Sequence, residues 1–278
     1  MSRKHFVLFI LFLLSNSLFS QIIQPMHDFG SKGIDKAEVL FERELIKNSE
    51  IELLNQIKKF PETVSGDKAV LLQANIDYSL GNYSVAESKL TEFITVRSNS
   101  PFIPFAALQR AMIVFRQKKF DRAEIDFEAS QIFAENDLRD RKNAIYADIA
   151  QTSVYWRAIS MLHLGKHPDA IPVFKHLANI YPNGSYSDDA LYSLGRIYEV
   201  NAKLDSALYF YRESGKKYPK SNSVLVSLIR EANINLQQRQ PASALISLEK
   251  AENIVNHINA KDSIGNEFEY QSFSENAE

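Results

Sequence analysis

Few residues in this sequence are of a type and spacing that could do chemistry. His163 and His167 stand four apart, the spacing at which two imidazoles on one helix face can share a metal ion, and His176 follows nearby. A hydrolytic zinc site of that kind also needs a glutamate next to the first histidine, and no carboxylate completes the pattern. Gly165 and Pro168 set the two imidazoles across a turn rather than on one face. Asp188 and Asp189 are adjacent, whereas a general acid and a general base need to be held apart, so they read as caps at a helix N-terminus. The chain has no cysteine, which excludes disulfides, thiolate metal sites and a cysteine nucleophile. It also has no nucleophile elbow, P-loop or glycine-rich phosphate cradle. No catalytic constellation, metal site or cofactor is expected. The lone Trp156, beside Tyr155, reads either as packing or as a stacking platform.

Composition is that of a globular protein: 278 residues, 45% hydrophobic and 24% charged, with nine Gly and nine Pro. The formal net charge of −2 provides no basic field to draw the chain to nucleic acid or anionic lipid. At the N-terminus, Arg3 and Lys4 precede an unbroken apolar run from Phe6 to Leu14, followed by small residues at Ser15, Ser17 and Ser20. The run is too short to span a bilayer, which needs about 20 residues. The layout is that of a secretory signal peptide over residues 1–20, cleaved after Ser20 or Ser17. The expectation is therefore export, to the periplasm or the periplasmic side of an outer membrane, with no transmembrane span in the mature chain. Residues 21–34 are polar and read as a flexible lead-in.

The elements that would position any site are helical. Ala37, Leu40, Phe41 and Leu45, then Ile51, Leu54 and Ile57, have the spacing of two amphipathic helices, Asp35–Lys47 and Ser49–Phe60. A turn is expected at Asn48–Ser49 and a stop at Pro61, so residues 35–66 form an N-terminal cap or worn repeat. From Asp67 a period appears. Small residues opening the second helix of each unit fall at Ala86, Ala123, Ala170, Ala207 and Ala244. A small residue on the first helix precedes each (Ala74, Ala111, Ala158, Gly195, Ala232) and a large one follows four on (Leu90, Phe127, Phe174, Tyr211, Leu248). Small residues let two helix backbones approach, and the large one fills the next turn. Glycines at 81 and 165, and prolines at 168 and 241, mark the turns, while Pro182 and Pro219 end second helices. A fixed period within 20–50 residues predicts a stack of helix hairpins. The fold class expected is all-α, a right-handed α-solenoid of antiparallel hairpins spanning residues 67–258 in about five repeats. Ten extra residues fall around Ala134–Asn143, charged with both signs, and predict an extended helix or a protruding loop that could bind, with a solvated helix end the plainer reading. Residues 259–278 read as a polar tail, a capping helix or the start of a further repeat.

The pattern resembles the tetratricopeptide repeat, best at Leu191, Leu194, Gly195, Tyr198, Ala207, Tyr211 and Pro219. The period here exceeds that of the family, which longer helices would absorb, and the first signature position holds Val154, Leu191 and Leu228 rather than an aromatic. Residues 181–198 are similar to the repeats of TolA-binding periplasmic proteins and BamD-like outer-membrane assembly proteins. That resemblance implies a non-enzymatic envelope scaffold. The lipid anchor of the BamD-like proteins does not carry over to a chain without cysteine.

In such repeats the first helices line a concave groove. The resemblance assigns Asn75, Met112, Arg116, Tyr155, Ile159, Tyr192, Arg196, Arg230 and Asn233 to it, which implies a peptide or helix partner carrying acidic and apolar residues. The alternative occupants of these positions are neighbouring repeats. The carboxylate-clamping lysine of chaperone-binding members is not matched, because Leu71 and Ile229 stand where it would be needed. A second expectation is a glycan-binding module stacking sugars on Tyr155, Trp156 and Tyr192.

Overall fold

The computed structural model describes residues 46–262 apart from Glu62 and Lys220, and all regular structure among them is helical. The signal peptide, the lead-in, the helix expected over Asp35–Lys47 up to residue 45 and the tail after Asp262 lie outside the described residues. Eleven helices follow in order: α1 Ile46–Lys59, α2 Val64–Leu80, α3 Tyr83–Val96, α4 Ile103–Arg116, α5 Phe120–Arg141, α6 Ala144–His163, α7 His167–Ile180, α8 Ser187–Val200, α9 Leu204–Lys217, α10 Asn222–Gln237 and α11 Pro241–Asp262. They fall into two compact units that divide between Lys166 and His167.

In the first unit, α1 packs on α2, and α2–α3 and α4–α5 form hairpins, with α6 folding back along α5. Ala74, Ala86, Ala111, Ala123, Leu90 and Phe127 are all buried, as close helix approach requires. The turn expected at Asn48–Ser49 is instead helix. Ser49 sits within α1 with its side chain buried, so it does not open a helix there. α2 does begin at a cap, with Thr63 Oγ1 accepting the Gly66 N–H at 3.2 Å.

The ten additional residues are extended helix rather than a loop. They lengthen two helices at once, so that α5 has 22 residues and α6 has 20, against 14 each in α3 and α4. The two join through Lys142, in the left-handed region at φ 52, and Asn143, whose Oδ1 accepts the Ile145 N–H. The extension is held by its own contacts. Ser130 and Ser153 hydroxyls meet at 2.8 Å, and the buried Tyr146 donates to Pro101 O at 3.2 Å. Its charged tip pairs internally, Arg141 to Asp137 at 3.1 Å.

In the second unit, α7 packs on α8, and α8–α9 and α10–α11 form hairpins. Gly195 explains the α8–α9 spacing, because a Cβ there would lie 2.4 Å from Tyr211 Cε1. Ala207, Leu208, Tyr211 and Ile234 form the core, flanked by Tyr192, Tyr198 and Leu204. α11 continues to Asp262, past the boundary expected at 258.

A feature not visible in residue types recurs at the turns. Gly81, Lys118, Gly165, Ala202 and Arg239 all have positive φ, between 56° and 85°. At each, the residue's own N–H bonds back three residues and the next N–H bonds back five, as in Gly81 to Tyr78 and Asn82 to Asp77, or Ala202 to Glu199 and Lys203 to Tyr198. Five helices therefore end in the same Schellman turn, of which only two use the glycine that favours it.

Candidate functional site

The nine groove positions divide between the units, five in the first and four in the second. In the first, Asn75 and Met112 are 5% exposed. The Asn75 Oδ1 accepts a hydrogen bond from Gln109 Nε2 at 3.0 Å, across from α2 to α4. Both are occupied in packing between helices, which corrects their assignment to a contact surface. Arg116 is exposed, and Tyr155 and Ile159 are half-buried. Trp156 meets Phe115 edge-on at 5.1 Å and Tyr155 at 5.7 Å. With its Nε1 buried and its edges engaged, Trp156 works as packing, which removes the anchor of the sugar-stacking arrangement.

His163 is engaged by an aromatic neighbour. His163 stacks on Phe120 with centroids 4.2 Å apart and planes 7° apart. Burial, and then the nearby Lys118 charge, push its pKa below the ordinary imidazole value. Among the described residues no group of three or more His, Asp or Glu is placed to hold a metal ion. A groove between α3 and α5 is lined by Ser84, Glu87, Ser88, Thr91 and Arg122. Arg122 pairs with Glu87 at 2.5 Å, and Thr91 donates back to its own helix.

Two of the four positions of the second unit come together. Tyr192 and Arg196 lie one turn apart on α8, and Arg230 and the exposed Asn233 on α10. The two arginines converge on a residue that the sequence reading missed, Glu199. Its carboxylate accepts from the Tyr211 hydroxyl at 2.6 Å, and lies 3.5 Å from Arg196 Nη1 and 3.6 Å from Arg230 Nη1. Burial and the Glu199 carboxylate both push the Tyr211 hydroxyl pKa well up, so it stays a donor. Tyr211 also lies 5.9 Å from the half-buried Tyr192 ring. The site is therefore less basic than two arginines suggest, because one carboxylate offsets one of them. Each guanidinium has five N–H donors and makes only a long contact to Glu199, so both retain donors for a second carboxylate. The sequence signal for Glu199 was its place three residues after Arg196, on the same face as Tyr192.

A second polar junction lies at the start of α8. Ser221 and Ser223 donate to Asp188, and Ser223 also to Asp189. The two aspartates thus bridge to the next hairpin and do not cap α8, as adjacency alone had suggested. Burial, only partly offset by Ser223, pushes the Asp189 carboxyl up to about 6.

This arrangement, a pair of helices joined by a Schellman turn with a small residue facing a large one, returns in the comparisons. The model of the Tetratricopeptide repeat matches residues 152–184 and 189–221. Those two segments are tetratricopeptide repeats. Solved structures share the repeat fold. BtubC (BKLC) from P. vanneervenii is 14% identical, with a TM-score of 0.57 over 94% of this chain and 97% of that one. MamA from Desulfovibrio magneticus RS-1 is 16% identical, with a TM-score of 0.51 over 69% and 96%. The TPR-like repeats of a putative kinesin light chain from Podosopora anserina are 15% identical, with a TM-score of 0.50 over 70% and 95%. At these identities the likeness shows the fold alone. No curated protein matches the chain.

Proposed function

We infer that the chain is a non-enzymatic tetratricopeptide scaffold that presents the α8–α10 surface to a peptide or helix carrying carboxylates beside apolar side chains. The observation that carries this reading is the convergence of Arg196 and Arg230 on Glu199, whose partner Tyr211 lies against the half-buried Tyr192 ring. An incoming carboxylate competes with Glu199 for the spare guanidinium donors, and an apolar neighbour rests on Tyr192. Because Glu199 already holds part of the arginine charge, a weakly acidic ligand gains little, which favours segments with two or more carboxylates. The place of work proposed is the cell envelope beyond the inner membrane, supported by the charged, apolar and small-residue layout of residues 1–20 and by the likeness of residues 181–198 to envelope repeats.

The test is retention of partners from envelope extracts by the intact chain, by Arg196→Glu and by Arg230→Glu. Partners kept by the parent and lost by both variants, with the melting temperature unchanged, support the reading. Retention indifferent to both substitutions rejects the α8–α10 surface as the site.

A further inference from the structure

The surface by which one hairpin of the second unit joins the next can be read residue by residue. On α8–α9 it consists of Asp189, Tyr192, Glu199, Leu208 and Tyr211. The next helix, α10, meets them with Ser223 on Asp189, Arg230 near Glu199, and Ile234 in the cluster with Leu208 and Tyr211. Moved on by the 37-residue period, the same positions on α10–α11 are Val226, Ile229, Leu236, Leu245 and Leu248. All five are exposed, by 40% to 56%. The contrast is sharpest at Leu248. Its counterparts Leu90, Phe127, Phe174 and Tyr211 are at most 1% exposed, whereas Leu248 is 44% exposed.

The chemistry of the face says what can cover it. Another hairpin like α10–α11 would bring a serine and an arginine to positions where Asp189 and Glu199 have become Val226 and Leu236, stranding both polar groups. The complement has to be apolar along its length. The five side chains expose roughly 450 Å² of apolar surface, the size of the largest patch on an ordinary monomer. Two such faces bury roughly 900 Å² of apolar surface, and the polar rim around each carries the contact toward the roughly 1,200 Å² at which specific dimer interfaces begin. No charge stands among the five residues, so the face can meet its own copy without repulsion, and a two-fold arrangement asks only that it be complementary to itself. We propose that the α10–α11 joining surface is closed by the same surface of a second copy, making the protein a two-fold dimer through its last described hairpin.

Sedimentation equilibrium of the full chain over a wide concentration range tests this. The expected result is a reversible dimer. Leu245→Glu/Leu248→Glu should raise its dissociation constant by roughly tenfold or more. Both positions are already exposed, so circular dichroism and melting should stay at parent values, and Ile180→Glu, at an exposed site on α7, should associate like the parent. A parent that is monomeric at every concentration, or a double variant that associates as the parent does, overturns the proposal. So does a monomer that begins to associate only when residues 263–278 are removed, since that would assign the face to the chain's own C-terminal segment.

Discussion

A Cβ added at Gly195 would meet three carbons of the Tyr211 ring within 2.9 Å, so the ring would have to leave its place over α8. Tyr211 is buried and tied by its hydroxyl to Glu199, which leaves it nowhere cheap to go. Gly195→Ala is expected to lose about 2 kcal/mol, within the usual range for overpacking, even though alanine favours helix. Urea unfolding measures it, and an unchanged midpoint would show that the two helices do not approach this closely. Ala202 presents the reverse case. Its φ of 56° places a β-carbon in the left-handed region, where its counterparts Gly81 and Gly165 have none. Ala202→Gly should therefore stabilise by about 0.5–1 kcal/mol, and a loss of stability on denaturant titration would contradict the turn geometry. The two residues also mark what a sequence shows. Small residues at fixed spacing are legible because packing dictates volume at every period. The left-handed position is not legible, because Lys118, Ala202 and Arg239 tolerate there a backbone that the hairpin imposes. Glu199 was missed for a related reason. Its role depends on Arg230, 31 residues on, and no local pattern announces that contact.

Helices of this chain are set by what their neighbours demand. The charged stretch near residue 140 gave no sign that two helices lengthen together. The cause lay further in, at Ser130, Tyr146 and Ser153, whose burial becomes visible only once α5 and α6 run side by side. Asn48–Ser49 misled in the opposite direction, because a residue suited to capping can equally be a small buried one. The junction of α8 with α10 yields a prediction in pH. Asp189 has a folded pKa raised to about 6 from 3.8, chiefly by burial, with the neighbouring Asp188 carboxylate adding to the rise. A raised carboxyl pKa means that the folded state holds its proton more tightly than the unfolded chain. The junction is then most stable below about pH 4 and weakens as pH climbs toward 6. Between pH 5 and 7 the loss should approach about 1 kcal/mol once solvent screening is allowed for. Asp189→Asn, which keeps an acceptor for Ser223, should flatten that slope. A parent melting temperature that rises over the same interval, with no change in Asp189→Asn, would show that the carboxylate is ionised at no cost. At the same scale, Ala207→Arg should cost several kcal/mol, since a charge would replace a methyl packed at 0% exposure. A variant melting with the parent would undo the hairpin register.

For the molecule as a whole, charge and leader sequence point the same way. A net charge of −2 makes long-range attraction to polyanions negligible, so specificity must come from local surfaces such as the arginines around Glu199. Binding through those arginines should weaken with added salt only modestly, because Glu199 already neutralises part of their charge at contact distance. The leader makes a separate commitment. On the envelope reading proposed above, Arg3 and Lys4, the apolar run Phe6–Leu14 and the small residues ending at Ser20 serve as a signal peptide. On that reading the protein recovered from its own cells should begin at Gln21, or at Leu18 if cleavage follows Ser17. N-terminal sequencing of the purified chain decides the matter. An intact Met1 on protein taken from the cytosol would end the envelope reading, while leaving the α8–α10 surface to be judged by its own arginine variants.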